Sequence, residues 1–168
     1  MEISKELHFG LDENGWILAS KVTDGHEHDS SQVPNLLAQV DRDIDRFVGD
    51  RIYDQERVYE AVDHHSPGAE VVVQPRKDAV LSNNPIRASS YRDHHIAEIQ
   101  SKGWFEWKRQ SGYYLQSHAE NVFYRYRKII GRRMGAKNDE AQKRKAVIGC
   151  AILNQMLEMG ESLSYAVG

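Results

Sequence analysis

The sequence predicts a single α/β domain spanning residues 1–168. With 168 residues, 40% of them hydrophobic, the chain is long enough to bury one core. Strand-like and helix-like patterns alternate through the first half, which is the arrangement that produces an α/β fold. Helical periodicity dominates the second half, so we expect several helices there.

The chain opens with two strand-like runs, KELHFGL at 5–11 and WILASKV at 16–22. Between them stands DENG, whose Asn14-Gly15 pair suits a tight turn. We therefore expect a β-hairpin.

A helix and a strand follow. SSQVPNLLAQV at 30–40 reads as a helix capped by Asp29, with Pro34 in its first turns. RFVGD then reads as a short strand that ends at Asp50.

The next helix and strand complete the first half. DQERVYEAVDHH at 54–65 is typical of a helix capped by Asp54. EVVVQP at 70–75 is typical of a buried strand closed by Pro75.

Beyond Arg76 we expect a polar loop over 77–85 and then a helix from Ala88 to Gln100. The aromatic patch GWFEWKRQ follows, and its Trp104, Phe105 and Trp107 either belong to the core or form a base-stacking surface. Further helices are predicted over 111–131 and 138–159. The core residues of the last helix are predicted to be Ala146, Ile148, Ala151, Ile152, Leu153 and Met156.

Charge is distributed unevenly along the chain. Residues 1–70 hold six Lys/Arg and sixteen Asp/Glu, whereas residues 71–168 hold sixteen and nine, giving net charges of −10 and +7. All sixteen basic residues of the second half lie between Arg76 and Lys145. They indicate either a surface that binds a polyanion or a set of solvated helix faces.

Several classes of protein are not indicated. No apolar run approaches the roughly 20 residues that span a bilayer, and the N-terminal residues lack the apolar region of a signal peptide. Cys150 is the only cysteine, so no internal disulfide forms, which fits a cytoplasmic location. Cys150 itself reads as a residue of helix packing.

The helix predicted over 111–131 combines one acid with many cations. Its apolar face holds Ala119, Phe123, Tyr126 and Ile130, and a different face holds Gln116, Glu120, Tyr124 and Arg127. The cations along this stretch are Arg125, Arg127, Lys128, Arg132 and Arg133. Cations bind phosphate and aromatic rings stack on bases, so a polynucleotide could lie across this helix.

Two interpretations of Glu120 follow. A carboxylate facing a DNA backbone requires a metal ion between the two. Alternatively, Ser117 and Glu120 match the capping box S-x-x-E, in which Glu120 only bonds back to the Ser117 amide.

Six segments in order resemble one family. They are ELHFGLDENG, KVTDGHEHDSSQVPNLL, FVGDRIYD, VVVQPRKDA, SGYYLQSHAENVFYRYRKIIG and CAILNQM. Together they resemble the C-terminal part of the DDE transposases of bacterial insertion sequences, in the group with a Tyr-x2-Arg-x3-Glu-x6-Lys signature.

The resemblance implies a ribonuclease-H-like α/β domain, a mixed sheet with flanking helices, that lacks its first, central strand. It implies that Asp50 and Glu120 are catalytic metal ligands and that Tyr113 is the signature tyrosine. Two Mg²⁺ or Mn²⁺ ions are implied for the intact enzyme. The implied DNA-binding residues are Tyr113, Tyr124, Arg125, Arg127 and Lys128.

The sequence departs from the family pattern at three places. Gln116 replaces the signature arginine, and Arg127 replaces the lysine, with Lys128 adjacent. The family's first catalytic aspartate is expected upstream of the hairpin. Neither Glu2 nor Glu6 lies at the matching place, and Asp12 is expected to be a turn residue. We therefore expect a transposase fragment that is inactive alone.

The implied partners are DNA, a second copy of the chain in a homodimer, or the missing N-terminal part; no membrane partner is expected. One alternative is a non-catalytic remnant that binds DNA or inhibits an intact transposase by pairing with it. Another is a zinc or nickel site in DGHEHD, formed by Asp24, His26, His28 and Asp29. The histidine pairs His64-His65 and His94-His95 are expected to be helix-surface residues.

Overall fold

The computed structural model describes residues 5–82, 87–131 and 138–165. By their contacts these described residues fall into two compact units, one within the ranges 1–27 and 118–168 and the other within the range 28–117. The single domain inferred from length stays a prediction. None of the helices within the described ranges combines the length and apolar character needed to span a membrane.

The first unit begins with the predicted hairpin. Strand β1 (Lys5–Leu11) pairs antiparallel with β2 (Ile17–Asp24). The connecting turn is held by Asp12, whose Oδ1 accepts from Asn14 N and Trp16 N, each at 2.9 Å. Gly15 takes a φ of 86°. Asn14 does not share this left-handed conformation, which a tight Asn-Gly turn would require of both residues. The loop is instead stabilised by the hydrogen bonds that the Asp12 side chain accepts.

Two helices pack on this hairpin, α5 (Gln116–Ile129) and α6 (Asp139–Tyr165). The buried residues of this core are Ile17, Val122, Tyr126, Cys150 and Leu153. The amide of Asn154 acts as a strand partner, since it accepts from Ile17 N at 2.8 Å and donates to Ile17 O at 2.9 Å. An α6 side chain therefore satisfies backbone groups at the start of β2.

The second unit is built on two parallel strands. Strand β3 (Arg46–Gly49) pairs with β4 (Glu70–Val73), so that Gly49 lies opposite Val73. Between them the chain forms α2 (Glu56–His65). The unit begins with a 3₁₀ turn at Asp29–Gln32 and α1 (Val33–Leu37), and it continues with α3 (Arg87–Lys102) and α4 (Trp104–Gln110).

Helices cover both faces of this two-stranded sheet. Val71 and Val73 pack with Val58 and Val62 of α2 in one cluster. Val72, which points the other way, packs with Trp107 of α4 in a second cluster. This alternation is the period of two expected along a strand, and burial on both faces explains why Val71, Val72 and Val73 are all apolar.

Both predicted aspartate caps are wrong. Asp29 is the first residue of the 3₁₀ turn, and the residue before it, His28, makes no side-chain cap. The cap position of α2 is Gln55, whereas Asp54 is buried and bonded to other elements. Asp29 thus lies in the 3₁₀ turn that precedes α1, and Asp54 follows the 3₁₀ turn Arg51–Tyr53, one residue before the cap of α2.

The predicted core face of the last helix is only partly correct. Ala146, Cys150 and Leu153 are buried, at spacings of four and three residues. Ile148, Ala151, Ile152 and Met156 are exposed. Small residues decide the buried face, because a Cβ on Gly149 would lie 2.8 Å from Cε2 of Tyr126. The burial of Cys150 confirms its packing role and raises the pKa of its thiol.

The aromatic patch is largely core. Trp107 is fully buried and Trp104 stacks on it with ring centroids 4.9 Å apart, whereas Phe105 is 86% exposed. Trp107 Nε1 also donates to Nδ1 of His95 at 3.0 Å. A surface position expected for His95 is therefore wrong: it lies in the core, 2% exposed, because its ring joins Trp107 to the β4 backbone.

Some predicted features lie outside the described residues. These are the part of the polar loop at 83–85, Arg132 and Arg133 of the basic run, and Glu2.

Candidate functional site

Asp50 lies directly after β3, at the carboxyl end of the parallel strand pair. Its Oδ1 accepts from Ile52 N at 2.9 Å, which orients the carboxylate at the start of the 3₁₀ turn Arg51–Tyr53. Among the described residues no hydrogen bond is made to its other oxygen, Oδ2. The residue is partly exposed.

The glycine before Asp50 has a packing role. A Cβ on Gly49 would lie 3.0 Å from Cδ2 of Tyr53 and 3.1 Å from Cε1 of Phe47. These two rings contact each other edge to face at 6.0 Å. Burial, and then the charges of Asp29 and Asp50, raise the pKa of Tyr53, so its phenol stays protonated at neutral pH.

Basic residues share the sheet edge with Asp50. Because β3 and β4 are parallel and in register, the residues that follow them emerge at the same edge. Arg51 follows Asp50, and Arg76 and Lys77 follow Gln74 and Pro75 after β4. Both Arg76 and Lys77 are exposed.

A buried carboxylate organises this edge. The Asp54 side chain is 0% exposed, and its Oδ1 accepts from Arg92 Nε at 2.9 Å and from Tyr59 Oη at 3.1 Å. Its Oδ2 accepts from the Arg76 backbone N at 2.8 Å. Asp54 therefore ties the segment after β3 to the segment after β4 and to α3. Burial, followed by the charge of Asp54 and the hydrogen bond to it, raises the pKa of Tyr59, so the hydroxyl stays protonated.

The second predicted carboxylate, Glu120, lies on α5 and is exposed. It shares the exposed part of the helix with Tyr124 and Arg127, as the helical spacing predicts. Lys128 lies over the Tyr124 ring, with Nζ 5.6 Å from the centroid. This side of α5 offers a carboxylate, an aromatic ring and two cations to solvent.

The opposite side of α5 holds the helix against the hairpin. Val122 and Tyr126 are buried, and the Phe123 ring packs on Phe9 with centroids 4.5 Å apart. Tyr126 contacts Phe9 edge to face at 5.6 Å. The predicted apolar face is thus confirmed for Phe123 and Tyr126. Val122, which the sequence analysis did not assign to this face, is also buried.

The capping-box interpretation of Glu120 is wrong. Helix α5 begins at Gln116, so Ser117 lies inside it rather than at the cap. The Ser117 hydroxyl donates to Tyr114 O at 2.7 Å. The described part of the chain gives the Glu120 carboxylate neither a hydrogen bond nor an ion pair. Local helix capping therefore does not account for the glutamate.

Tyr113 lies in the core of the second unit. It is 6% exposed, and its ring contacts Trp107 at 5.2 Å and Trp104 at 5.6 Å. Its hydroxyl donates to Oε1 of Gln74 at 3.3 Å, directly after β4. Arg125 is partly buried. DNA contacts by these two residues stay predictions.

The DGHEHD segment is polar and largely exposed. Asp24, at its start, pairs with Lys5, which also pairs with Asp139 at 2.9 Å and thereby joins β1 to α6. Both partners raise the pKa of Lys5. His26 and His28 are exposed. Zinc or nickel binding here stays a prediction.

The sequence analysis did not place Arg51 and Arg76 beside Asp50. Their positions would have followed from a prediction that β3 and β4 are parallel, because the residues after two neighbouring parallel strands emerge at one edge of the sheet. It also missed Asp54 as a buried anchor, since a single aspartate before a helix is indistinguishable from a cap in sequence.

A protein-family model described as Transposase DDE domain matches residues 5–155. No curated protein and no solved structure matches the chain.

Proposed function

Because the chain belongs to the transposase DDE domain family, we propose that it acts in DNA transposition through metal-dependent cleavage and transfer of DNA strands. The observation that carries this proposal is the carboxylate of Asp50, oriented at the end of β3 with Oδ2 unbonded among the described residues. Glu120 supplies a second carboxylate, exposed on α5.

The donor groups fit the metal that the proposal requires. Asp50 and Glu120 both offer carboxylate oxygens, which are the ligands preferred by Mg²⁺ and Mn²⁺. Each would hold a divalent cation, with two ions in the complete enzyme. Bound there, the ions would ready water or a 3′-hydroxyl for attack and stabilise the leaving oxygen of the phosphodiester.

The remaining residues in this proposal bind the substrate. Tyr124, Arg127 and Lys128 are exposed on α5 and supply a stacking ring and two cations for phosphate. Arg125 adds a third cation along the helix. Tyr113 acts indirectly, since its buried ring and its bond to Gln74 support the segment that follows β4.

We further propose a ribonuclease-H-like fold and an inactive isolated chain. Only two of the three carboxylates expected of the family have matching positions, Asp50 and Glu120. A third would come from an N-terminal part joined to this chain or from a partner in a homodimer. The α/β architecture, with small sheets and flanking helices, is compatible with this fold.

Cleavage of a DNA end in Mg²⁺ tests the proposal. The assay compares the chain alone with the chain joined to any residues encoded immediately upstream. We expect cleavage by the joined protein, and loss of it in both Asp50→Asn and Glu120→Gln. Glu60→Gln, at an exposed position of α2, is the matched control. Cleavage that survives both active-site substitutions would refute these assignments.

A second candidate function is DNA binding without catalysis, favoured by the exposed cations of α5. It predicts that Glu120→Ala leaves DNA affinity unchanged or slightly higher, because a repulsive charge is removed. It also predicts no cleavage by the joined protein. An inhibitory role would appear as reduced transposition when the chain is expressed with an intact transposase.

A further inference from the structure

Helix α6 is apolar on two faces, and the hairpin covers one of them through contacts with Cys150 and Leu153. A helix that is apolar on several sides is normally buried on several sides. The side of α6 turned away from the hairpin carries six exposed residues, five of them apolar, which together we call the outer face of α6. They are Val147, Ile148, Ala151, Ile152, Gln155 and Met159.

The outer face of α6 is a continuous surface. Val147, Ile148 and Met159 are each more than half exposed to solvent, and Ile152 is 39% exposed. Spacings of three and four residues make Ile148 and Ile152 neighbours on the helix and connect them through Gln155 to Met159. Single exposed apolar residues are ordinary, whereas a contiguous apolar surface marks an interaction site.

Two opposite charges lie on this side of α6 at equal distances from Ala151. Arg144 is seven residues before Ala151 and Glu158 is seven residues after it. Seven residues return a helix to within about 20° of the same direction, so the three residues lie in one row. Both charged residues are exposed, and the Arg144 side chain, 3.8 Å from Glu140, is 75% accessible to solvent.

A second copy of α6 complements this row in one orientation only. With a two-fold axis at Ala151, Arg144 of each copy lies opposite Glu158 of the other copy. Parallel helices would instead place like charges opposite each other at both ends, which is repulsive. Ala151 has the smallest side chain of the outer face, so the two helices can approach closely at the axis.

We propose that the outer face of α6 binds a second copy of this chain as an antiparallel helix pair. Ile148 and Ile152 pack around Ala151, and Arg144–Glu158 pairs form at both ends. The inference deepens the homodimer named in the proposed function by identifying its surface, and it requires neither DNA nor a metal. The face is about 21 Å long and smaller than the roughly 800 Å² per partner of a standard interface, so we expect a dimer that dissociates at micromolar concentrations.

Sedimentation equilibrium of the full chain at several micromolar concentrations, without DNA, tests this interface. We expect a reversible equilibrium between monomer and dimer. Ile148→Glu should raise the Kd of the dimer about a hundredfold, because each dimer would bury two carboxylates at an apolar contact. The matched control is Val80→Glu, at a position 74% exposed in the second unit, which should leave the Kd unchanged. A wild-type chain that stays monomeric, or a Kd that Ile148→Glu raises no more than the control does, overturns the inference.

Reversal of the two charges provides a second test, on exposed positions that should not affect folding. Arg144→Glu and Glu158→Arg should each raise the Kd about tenfold, because each replaces two attractive pairs with two like-charge pairs. The double variant should return the Kd to within about threefold of the wild-type value. Double and single variants with the same Kd overturn the antiparallel arrangement.

Disulfide formation tests the orientation independently. Ala151→Cys should form a disulfide between two copies on oxidation, because the axis brings these positions together. Glu140→Cys should not, since an antiparallel pair separates the two copies of this position by about 33 Å, whereas a parallel pair joins them. The natural Cys150 is buried. A disulfide in Glu140→Cys but not in Ala151→Cys overturns the inference.

These results separate the interface from the proposed function. A chain that dimerises through α6 but does not cleave DNA when joined to the upstream residues refutes the cleavage proposal and leaves the interface standing. A joined protein that cleaves DNA while the chain is monomeric refutes only the interface. If the chain dimerises but the joined protein is monomeric, the upstream residues occupy the outer face and the inference is overturned.

Discussion

The two predicted metal ligands occupy opposite kinds of environment. Asp50 follows a strand, accepts a backbone hydrogen bond and lies at the sheet edge whose two segments are joined by buried Asp54. Glu120 is exposed on a helix and makes no bond within the described residues. The backbone around Asp50 is fixed by polar contacts, whereas Glu120 is positioned only by apolar packing on the other side of its helix.

Because of this difference, the two carboxylates should respond differently to substitutions around them. Substitutions of the polar residues at the Asp50 edge should lower the stability of the fold, because the Asp54 carboxylate that joins its segments is buried and paired. The position of Glu120 should depend on how closely α5 and α6 pack, and the carboxylate itself should be free of any structural role.

Asp54→Ala is expected to have the largest effect. The substitution leaves Arg92, the Tyr59 hydroxyl and the Arg76 N–H without their acceptor, and we expect a loss of about 3 kcal/mol in the free energy of unfolding. Urea denaturation measures it. Glu70→Gln, which breaks the exposed pair with Arg46, is the control and should cost less than about 1 kcal/mol. Equal losses in the two variants would contradict the anchoring role of Asp54.

Gly149→Ala tests the packing that positions Glu120. The new methyl group would lie 2.8 Å from Tyr126 Cε2 and 3.1 Å from Ile130 Cγ2, and overpacking of this kind costs about 1–3 kcal/mol. Gly160→Ala in the same helix meets nothing within 4 Å. The control should gain up to about 1 kcal/mol from helix propensity. Thermal unfolding of both variants decides, and stabilisation by Gly149→Ala would refute the close packing.

His95 should make stability depend on pH. Trp107 donates to its Nδ1, so the ring hydrogen lies on Nε2 and is donated to Val71 O at 2.7 Å. Burial lowers the pKa of His95. The unfolded chain therefore binds this proton at higher pH than the folded protein does. Stability should be complete above the ordinary histidine pKa of about 6.5 and decline as the pH falls through the folded pKa.

Urea denaturation at several pH values between about 5 and 8 measures this dependence. His95→Gln should lose the part of the slope that lies below the ordinary histidine pKa. His94→Gln, at the exposed neighbouring position, should keep it. A slope that is unchanged in His95→Gln would assign the dependence to another group.

Glu120→Gln is expected to have the smallest effect on stability, within about 0.5 kcal/mol of the wild-type value. The side chain is exposed and its carboxylate is unbonded within the described residues. Chemical denaturation followed by circular dichroism measures the change. A loss above about 1 kcal/mol would show that Glu120 stabilises the helix.

The local elements could be predicted from the sequence because their signals are local. Alternation gives β1 and β2, a run of valines gives β4, and the 3.6-residue period separates Tyr126 from Glu120 on α5. The predicted strand end at Asp50 is confirmed to within one residue, since β3 ends at Gly49.

The misassigned residues are those decided by tertiary contacts. Asp54 has the same local sequence context as a helix cap, and only its bonds to Arg76 and Arg92 from later segments reveal an anchor. His95 reads as a surface histidine until Trp107 and the β4 backbone supply its partners. On α6, the absence of a side chain at Gly149 selects the buried face, which hydrophobicity alone does not reveal.

Binding of Mn²⁺ to the full chain in the presence of duplex DNA tests the central claim most directly. Paramagnetic Mn²⁺ broadens the amide signals of residues near the ion. We predict broadening around both Asp50 and Glu120, with Asp50→Asn abolishing the first and Glu120→Gln the second. Broadening that avoids both positions, or that persists unchanged in the double variant, would contradict the assignment of these two carboxylates as metal ligands.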